Sequence, residues 1–400
     1  MTPPEPFRIH TRMTPRDVTE SHRVSSPLEL LFDLTFVVAI SRIAVQLSDS
    51  IEHGTVSEVL VPYCLVFFAI WWAWMNFTWF ASGYDTDDVP YRLLTMVQMA
   101  GVLVLAAGVP AGVHGGHFGA ITVGYVIMRA GLVAQWLRVA REGPRDRALA
   151  LRYALGVSIV QVLWLLRLLV PDDLVVPSFL LLAALELAVP LWAARAGEAS
   201  WHPRHIAERY GLFTIILLGE GVLAAVSSVQ ASLKAGGISP DLIVVASAAL
   251  VLVFALWWLY YLEPAGDLLE RRRGLSYLWG YAHYGVFASL TALGAGLEVS
   301  VLASGPELEV SPTVVSAAVA IPVGVFLAVL WAVHAPIRST DAVHAAVILP
   351  GAGLTLLSPL AAPSLGASGV LVLVALISAL IVAVTVVSRS RRTPAPPPSN

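Results

Sequence analysis

The sequence predicts an all-α, polytopic integral membrane protein of about twelve transmembrane helices. Composition is the first reason: 57% of the 400 residues are hydrophobic and only 13% are charged, against about 25% charged in ordinary soluble domains. Segmentation is the second. Cutting the chain at its polar and Gly/Pro-rich breaks leaves twelve apolar stretches, at about 28–48, 58–82, 92–112, 118–140, 150–170, 174–195, 206–230, 240–262, 276–300, 312–334, 342–362 and 367–388. Each is long enough to cross a core of roughly 30 Å as a helix, the form that satisfies every backbone polar group within one segment. The arginine distribution is the third. Arg8, Arg12, Arg16 and Arg23 precede the first stretch, and Arg92, the run from Arg138 to Arg152, Arg195, Arg204, the run Arg271 to Arg273, Arg338, Arg389, Arg391 and Arg392 follow at even-numbered connections or the C-terminus. The odd-numbered connections carry only Lys234. The positive-inside rule then predicts cytoplasmic termini.

Taken in order, residues 1–27 and 389–400 read as cytoplasmic tails, polar and rich in proline or charge. Residues 1–27 contain no apolar core of signal-peptide type, so the first helix is expected to act as an uncleaved insertion signal. The single cysteine, Cys64, rules out an internal disulfide and a thiolate cluster. The first helix opens SSPLELLFD. Ser26 at the N-cap, Pro27 at the first helical position and Glu29 at the third form a capping box. Asp33 lies one turn on, on the same face, where capping does not account for it.

The second stretch ends in tryptophans that read as an interfacial belt or a cavity lining, then runs into the acidic cluster Asp85, Asp87 and Asp88. Gln98 and the small residues Gly101, Ala106, Ala107 and Gly108 in the third suit close helix contact. Arg129, Arg167 and Glu186 stand in apolar surroundings. Either arginine is a potential partner for the glutamate, in a pair that fixes packing.

After the connection 197–205 the pattern begins again. Phe68, Ala69, Trp71 and Trp72 recur 186 positions later as Phe254, Ala255, Trp257 and Trp258, and Glu29 and Thr35 align with Glu208 and Thr214 at an offset of 179. Two six-helix halves follow, 28–196 and 206–388. Six is even, so a 6+6 repeat of this kind is parallel, related by an axis along the membrane normal.

Charged groups at bilayer depth cost roughly 2.5 kcal/mol or more each and therefore mark protein interiors or wet cavities. On the predicted topology Glu29, Asp33, the Asp85 cluster, Glu208, Arg209, Asp267 and His283 fall toward the cytoplasmic side. Glu220 lies deeper, about 18 Å along the helix from Glu208. If the first three helices of each half face one another, these groups surround one cavity. His334 and His344 read as interfacial.

Three functional classes stay open. Glu29, Asp33, Gln98, Glu208, Arg209, Glu220 and His283 could form a proton, cation or substrate cavity of a transporter or permease, with Glu220, Asp33 and Glu208 as proton or cation sites and His283 as a proton partner. Asp85, Asp87 and Asp88 could hold Mg²⁺ in a membrane enzyme acting on a lipid or isoprenoid diphosphate. Or the charges could serve architecture alone, in a structural or stress-adaptive protein. No Walker A run, GxSxG elbow, HExxH or dinucleotide GxGxxG is present, so no catalytic residue is assigned. The expected surroundings are a lipid bilayer and a small-molecule or ion substrate, with no nucleic-acid partner.

The segments SPLELLFDLTFVVAIS, WWAWMNFTWFASGYDTDDVPYRLLTMVQMAG, ERYGLFTIILLGEGV, WWLYYLEPAG and YAHYG occur in that order. Together they resemble the bacterial low temperature requirement protein A family, LtrA, most closely over residues 24 to 300. Glu29, Phe32, Asp33, Tyr84, Asp85, Asp87, Asp88, Gln98, Glu208, Arg209, Gly219, Glu220 and His283 fall on its recurrent motifs. The resemblance implies a multi-pass bacterial inner-membrane protein linked to growth in the cold, and implies no particular activity. YLEPAGD departs from the pattern, since the family more often places an aromatic residue directly before the aspartate.

Overall fold

The computed structural model describes residues 9–17, 20, 24–197, 200–235, 239–305, 310–337 and 345–390, without the side chains of 231–235. Arg8, Arg23, Arg338, His344, Arg391 and Arg392, and the side chain of Lys234, lie outside the described residues. Every regular element among the described residues is helical. The long helices are α1 (Pro27–Glu52), α2 (Val56–Tyr84), α3 (Val89–Gly115), α4 (Gly119–Glu142), α5 (Arg147–Leu166), α6 (Val175–Ala194), α7 (Pro203–Ala235) and α8 (Pro240–Tyr261). A short α9 (Ala265–Arg271) precedes α10 (Ser276–Leu302), α11 (Pro312–His334), α12 (Ala345–Leu357) and α13 (Ala362–Ser390).

Ten helical stretches among the described residues are long and apolar enough to cross a membrane. α1, which carries Glu29, Asp33, Arg42, Asp49 and Glu52, is not among the ten. The last of them, Ala345–Ser390, has 46 residues, about 69 Å as a continuous helix and twice the bilayer core. It is interrupted by a 3₁₀ turn at Ser358–Ala361 and by Gly366 at φ 69°, a backbone state open to glycine.

The chain divides into two units. The first comprises Met1–Ile43 and Leu60–Arg209, the second Ala44–Val59 and Tyr210–Asn400. In the first, α3 and α4 form an antiparallel pair closed by Gly116 in the left-handed region at φ 65°. Their backbones approach so closely that a Cβ on Gly124 would stand 2.4 Å from the backbone nitrogen of Leu105. Packing replaces hydrophobic drive between helices in lipid, which is why small residues gather at such a seam. In the second unit α8 packs on α13 and α10 on α11.

Helix starts follow local chemistry. Ser239 caps α8 by accepting from Leu242 N at 3.0 Å, with Pro240 at the first helical position. Residues 11–16 of the N-terminal tail are tied to α2, α3 and α4. Thr11 N donates to Asp88 Oδ2 at 2.7 Å, Met13 N to Glu142 Oε2 at 2.7 Å and Arg16 N to Gly83 O at 2.9 Å, and Met13 is fully buried. This strap follows from ordinary accounting, because buried backbone donors and terminal helix groups need partners.

Candidate functional site

The capping box at the start of α1 is present. Ser26 N donates to Glu29 Oε2 at 2.8 Å and Glu29 N to Ser26 Oγ at 3.3 Å. Glu29 does more than cap. Its Oε1 lies 3.2 Å from His205 Nε2 and 3.3 Å from Arg209 Nη1, both on α7. One turn on, Asp33 Oδ1 meets Arg209 Nη2 at 2.5 Å and accepts from Trp74 Nε1 at 2.7 Å. The geometry is an i,i+4 pair of carboxylates facing an i,i+4 pair of bases, each pair on one helix face. Glu29, Asp33, His205 and Arg209 are all fully buried.

The charges of this quartet do not cancel without a proton. Glu29 and Asp33 carry two negative charges and Arg209 one positive charge that it does not give up. A proton on His205 or on a carboxylate brings the sum to zero. Hydrogen bonding is also incomplete: among the described residues Asp33 Oδ2 and Arg209 Nε have no hydrogen-bond partner. Burial of a charge costs several kcal/mol unless it is paired and bonded, so an excess charge here has chemical consequences.

Other predicted residues fall elsewhere. Glu208, half-buried, accepts from Ser25 N at 3.2 Å. Gln98 donates to Gln135 Oε1 at 2.9 Å, and Gln135 in turn to Thr95 Oγ1 at 3.1 Å, a neutral ladder joining α3 to α4. Glu220 and His283 belong to the second unit. Glu220 is half-buried beside Gly221, whose Cβ position is 3.3 Å from Gly294 Cα, and it lies within electrostatic reach of Glu298. Gly294 stands about 16 Å along α10 from His283. His283 itself is sealed among Tyr210, Trp279 and Phe287, with Nδ1 2.7 Å from Trp279 O and Nε2 3.3 Å from Tyr260 OH. Aromatic rings and about 16 Å of α10 therefore stand between His283 and the Gly221–Gly294 contact beside Glu220. Asp267 is exposed on α9.

The acidic cluster is occupied by capping and ion pairing. Asp88 is the N-cap of α3, its Oδ1 accepting from Tyr91 N at 3.1 Å, and it holds Arg138 through Nη1 at 2.8 Å and Nη2 at 2.5 Å. Burial works against its charge, but Arg138 and the amides of Thr11 and Tyr91 outweigh it and hold the carboxyl at about 2. Asp87, at φ 47°, forks with Arg92 at 2.8 and 2.7 Å in the open, and Asp85 Oδ1 accepts from Asp87 N at 3.0 Å. No group of three or more His, Cys, Asp or Glu side chains among the described residues is arranged to hold a metal ion.

Arg129, not Arg167, is the partner of Glu186. Arg129 Nη2 lies 3.5 Å from Glu186 Oε2, which accepts from Trp72 Nε1 at 2.7 Å, while Oε1 accepts from Trp164 Nε1 and Tyr125 OH, each at 3.2 Å. Arg129 also donates to Tyr125 OH. Trp72 and Trp74 thus act as buried donors to carboxylates and not as a belt. Arg167 sits apart. Its guanidinium lies 4.9 Å from the Phe118 ring centroid, 5.2 Å from that of Phe179 and 5.6 Å from that of Trp164, with Nη2 donating to Val175 O at 2.9 Å. Cation–π contacts of this kind are each worth about 0.5–2 kcal/mol, and none of the three supplies a counter-charge.

His205 and Trp74 escaped the sequence reading as site residues. The available signal was spacing, since His205 precedes Arg209 by the four residues that separate Glu29 from Asp33.

Described residues that are helical throughout their regular elements, with ten stretches among them able to cross a membrane, define a multi-pass membrane protein. The profile described as bacterial low temperature requirement A protein (LtrA) matches residues 24–387, and the chain belongs to that family. It is also 27% identical over 310 residues to the uncharacterized protein RA0937 of Rhizobium meliloti (strain 1021), covering 73% of each chain. No solved structure matches it.

Proposed function

We propose that this LtrA-family protein is a proton-coupled, permease-like membrane protein in which Glu29, Asp33, His205 and Arg209 form the proton site. The observation that supports this reading is the charge count: two buried carboxylates face one arginine and one histidine, so a single proton decides whether the cluster is neutral. Such intramembrane carboxylates are the usual relays of pumps and transporters. The reading includes twelve passes, with α1 and the two limbs of Ala345–Ser390 each crossing once, a parallel 6+6 repeat, and an inner-membrane location with both termini in the cytoplasm. Glu208 neighbours Arg209 on α7 without joining the cluster, Gln98 belongs to the α3–α4 ladder, and Glu220 acts separately on the second unit. The Mg²⁺-dependent enzyme finds less support, because Asp85, Asp87 and Asp88 are spent on a cap, a turn and two arginines.

The test uses the full-length protein. A step from about pH 8 to about pH 5 should load the native chain with one more proton than Asp33→Asn, read by an indicator dye in weak buffer. Reconstituted on a solid-supported membrane, the native protein should give a transient current on the same step, reduced in Asp33→Asn and His205→Gln. Equal uptake and equal currents in all three proteins would end the proposal.

A further inference from the structure

Arg167 lies at the end of α5 farthest from the arginine-rich α4–α5 connection, and it is 95% buried because its relative exposure is 5%. It has no carboxylate partner among the described residues, and its Nε has no hydrogen-bond partner there. It lines a partly open cavity of about 20 Å³, together with Thr122, Tyr125, Phe118, Trp164 and Phe179. Three observations therefore converge: a buried cation without a counter-charge, an unmade donor beside a cavity, and a wall of aromatic residues with a hydroxyl.

Size decides the class of occupant. A water needs about 10–15 Å³ on this measure, so the cavity takes one particle of about that size. Carboxylates, phosphates and lipid headgroups exceed this volume. Charge then decides between the particles that fit. Water would solvate the guanidinium without neutralising it, whereas a monatomic anion would do both. The lining suits such an anion, since it offers the guanidinium's positive charge and N–H donors and the Thr122 hydroxyl, with no carboxylate among the lining residues. We infer that the Arg167 cavity is a binding site for a monovalent halide of chloride size. Arg129 does not compete for it, because Glu186 already holds that guanidinium.

This site is independent of the proton site proposed above, and its experiment does not depend on transport. Thermal unfolding of the purified full-length protein is followed in sodium chloride against sodium gluconate at constant ionic strength. Binding to the folded state alone raises stability by mass action, so chloride should raise the midpoint by about 2–4 °C. Arg167→Gln should abolish the difference between the two salts, and Thr122→Val should move the half-maximal chloride concentration upward several-fold. Should Arg167→Gln fail to fold, an anion series on the native protein decides: chloride and bromide should stabilise, while the bulkier nitrate and perchlorate should not. Gluconate matching chloride, a chloride response surviving in Arg167→Gln, or no size limit in the series would each overturn the assignment. A cavity that holds only water gives the first of these results.

Discussion

Arg209 on α7 meets Asp33 on α1 at 2.5 Å across 176 positions of sequence, with neither side chain exposed to solvent. The pair is the inner half of the quartet, and it shares Asp33 Oδ1 with the indole of Trp74.

Removing the base alone should be the most damaging change at this site. Arg209→Ala leaves Glu29 and Asp33 buried without their shared cation, a loss expected at about 3–5 kcal/mol. Asp33→Asn, which keeps the shape and a carbonyl acceptor, should cost much less. Combining Arg209→Met with Asp33→Leu should recover part of the loss, read as non-additivity in a double-mutant cycle of detergent-solubilised protein.

Glu186 should be more costly to truncate than to neutralise. Glu186→Ala strands Arg129, the indole N–H groups of Trp72 and Trp164 and the Tyr125 hydroxyl, at about 3–5 kcal/mol. Glu186→Gln retains one oxygen acceptor and should lose roughly half as much. Tryptophan emission should shift in both variants, and more strongly in the alanine one.

Asp88 gives the N-terminal strap an acid limit. Its carboxyl sits at about 2, below its ordinary 3.8, because Arg138 and two amides prevail over burial. A depressed acid stabilises the fold fully above its unfolded value and loses that contribution as pH falls through about 2. Asp88→Asn should flatten stability between about pH 4 and pH 2 while keeping the cap, whereas Asp88→Ala should cost about 1 kcal/mol more. A native acid profile retained in Asp88→Asn would show that another carboxylate governs this range.

Releasing the strap should be visible to a protease. Arg138 joins Asp88, Glu142 and the Thr11 carbonyl. Arg138→Ala should therefore expose Arg12 and Arg16 to trypsin several-fold faster, with the remaining helices cut at the native rate.

The α3–α4 seam should not accept a methyl group. A Cβ at Gly124 would stand 2.4 Å from a backbone nitrogen that has no rotamer to yield. Gly124→Ala should cost about 1–3 kcal/mol by forcing the helices apart. The neighbouring Gly119, with open space around its Cβ position, is the matched control.

The helices were legible because long apolar runs have few alternatives in a bilayer. Glu29, Asp33 and Arg209 were also legible as costly residues, yet their mutual pairing was not, since periodicity along one helix says nothing about which helix lies opposite. His205 was hidden by a boundary. The stretch GEASWHPRH reads as a polar connection, but α7 begins at Pro203 and carries His205 into the interior. Glu220 drew weight because its helix is apolar around it, although the side chain is only half-buried. Asp85, Asp87 and Asp88 looked like a metal cluster because spacing does not reveal an N-cap. The strap was unreadable for a related reason, since Thr11 and Met13 find their acceptors 77 and 129 residues later.

That sequence distance also sets an order of assembly. Translation at about 5–20 residues per second puts roughly 10–35 s between the emergence of Asp33 and that of Arg209. For that interval α1 holds two carboxylates whose cation has not yet been made, which accords with its absence from the ten strongly apolar stretches. α1 is thus electrostatically complete only once α7 has been made, although 176 positions of chain are synthesised in between.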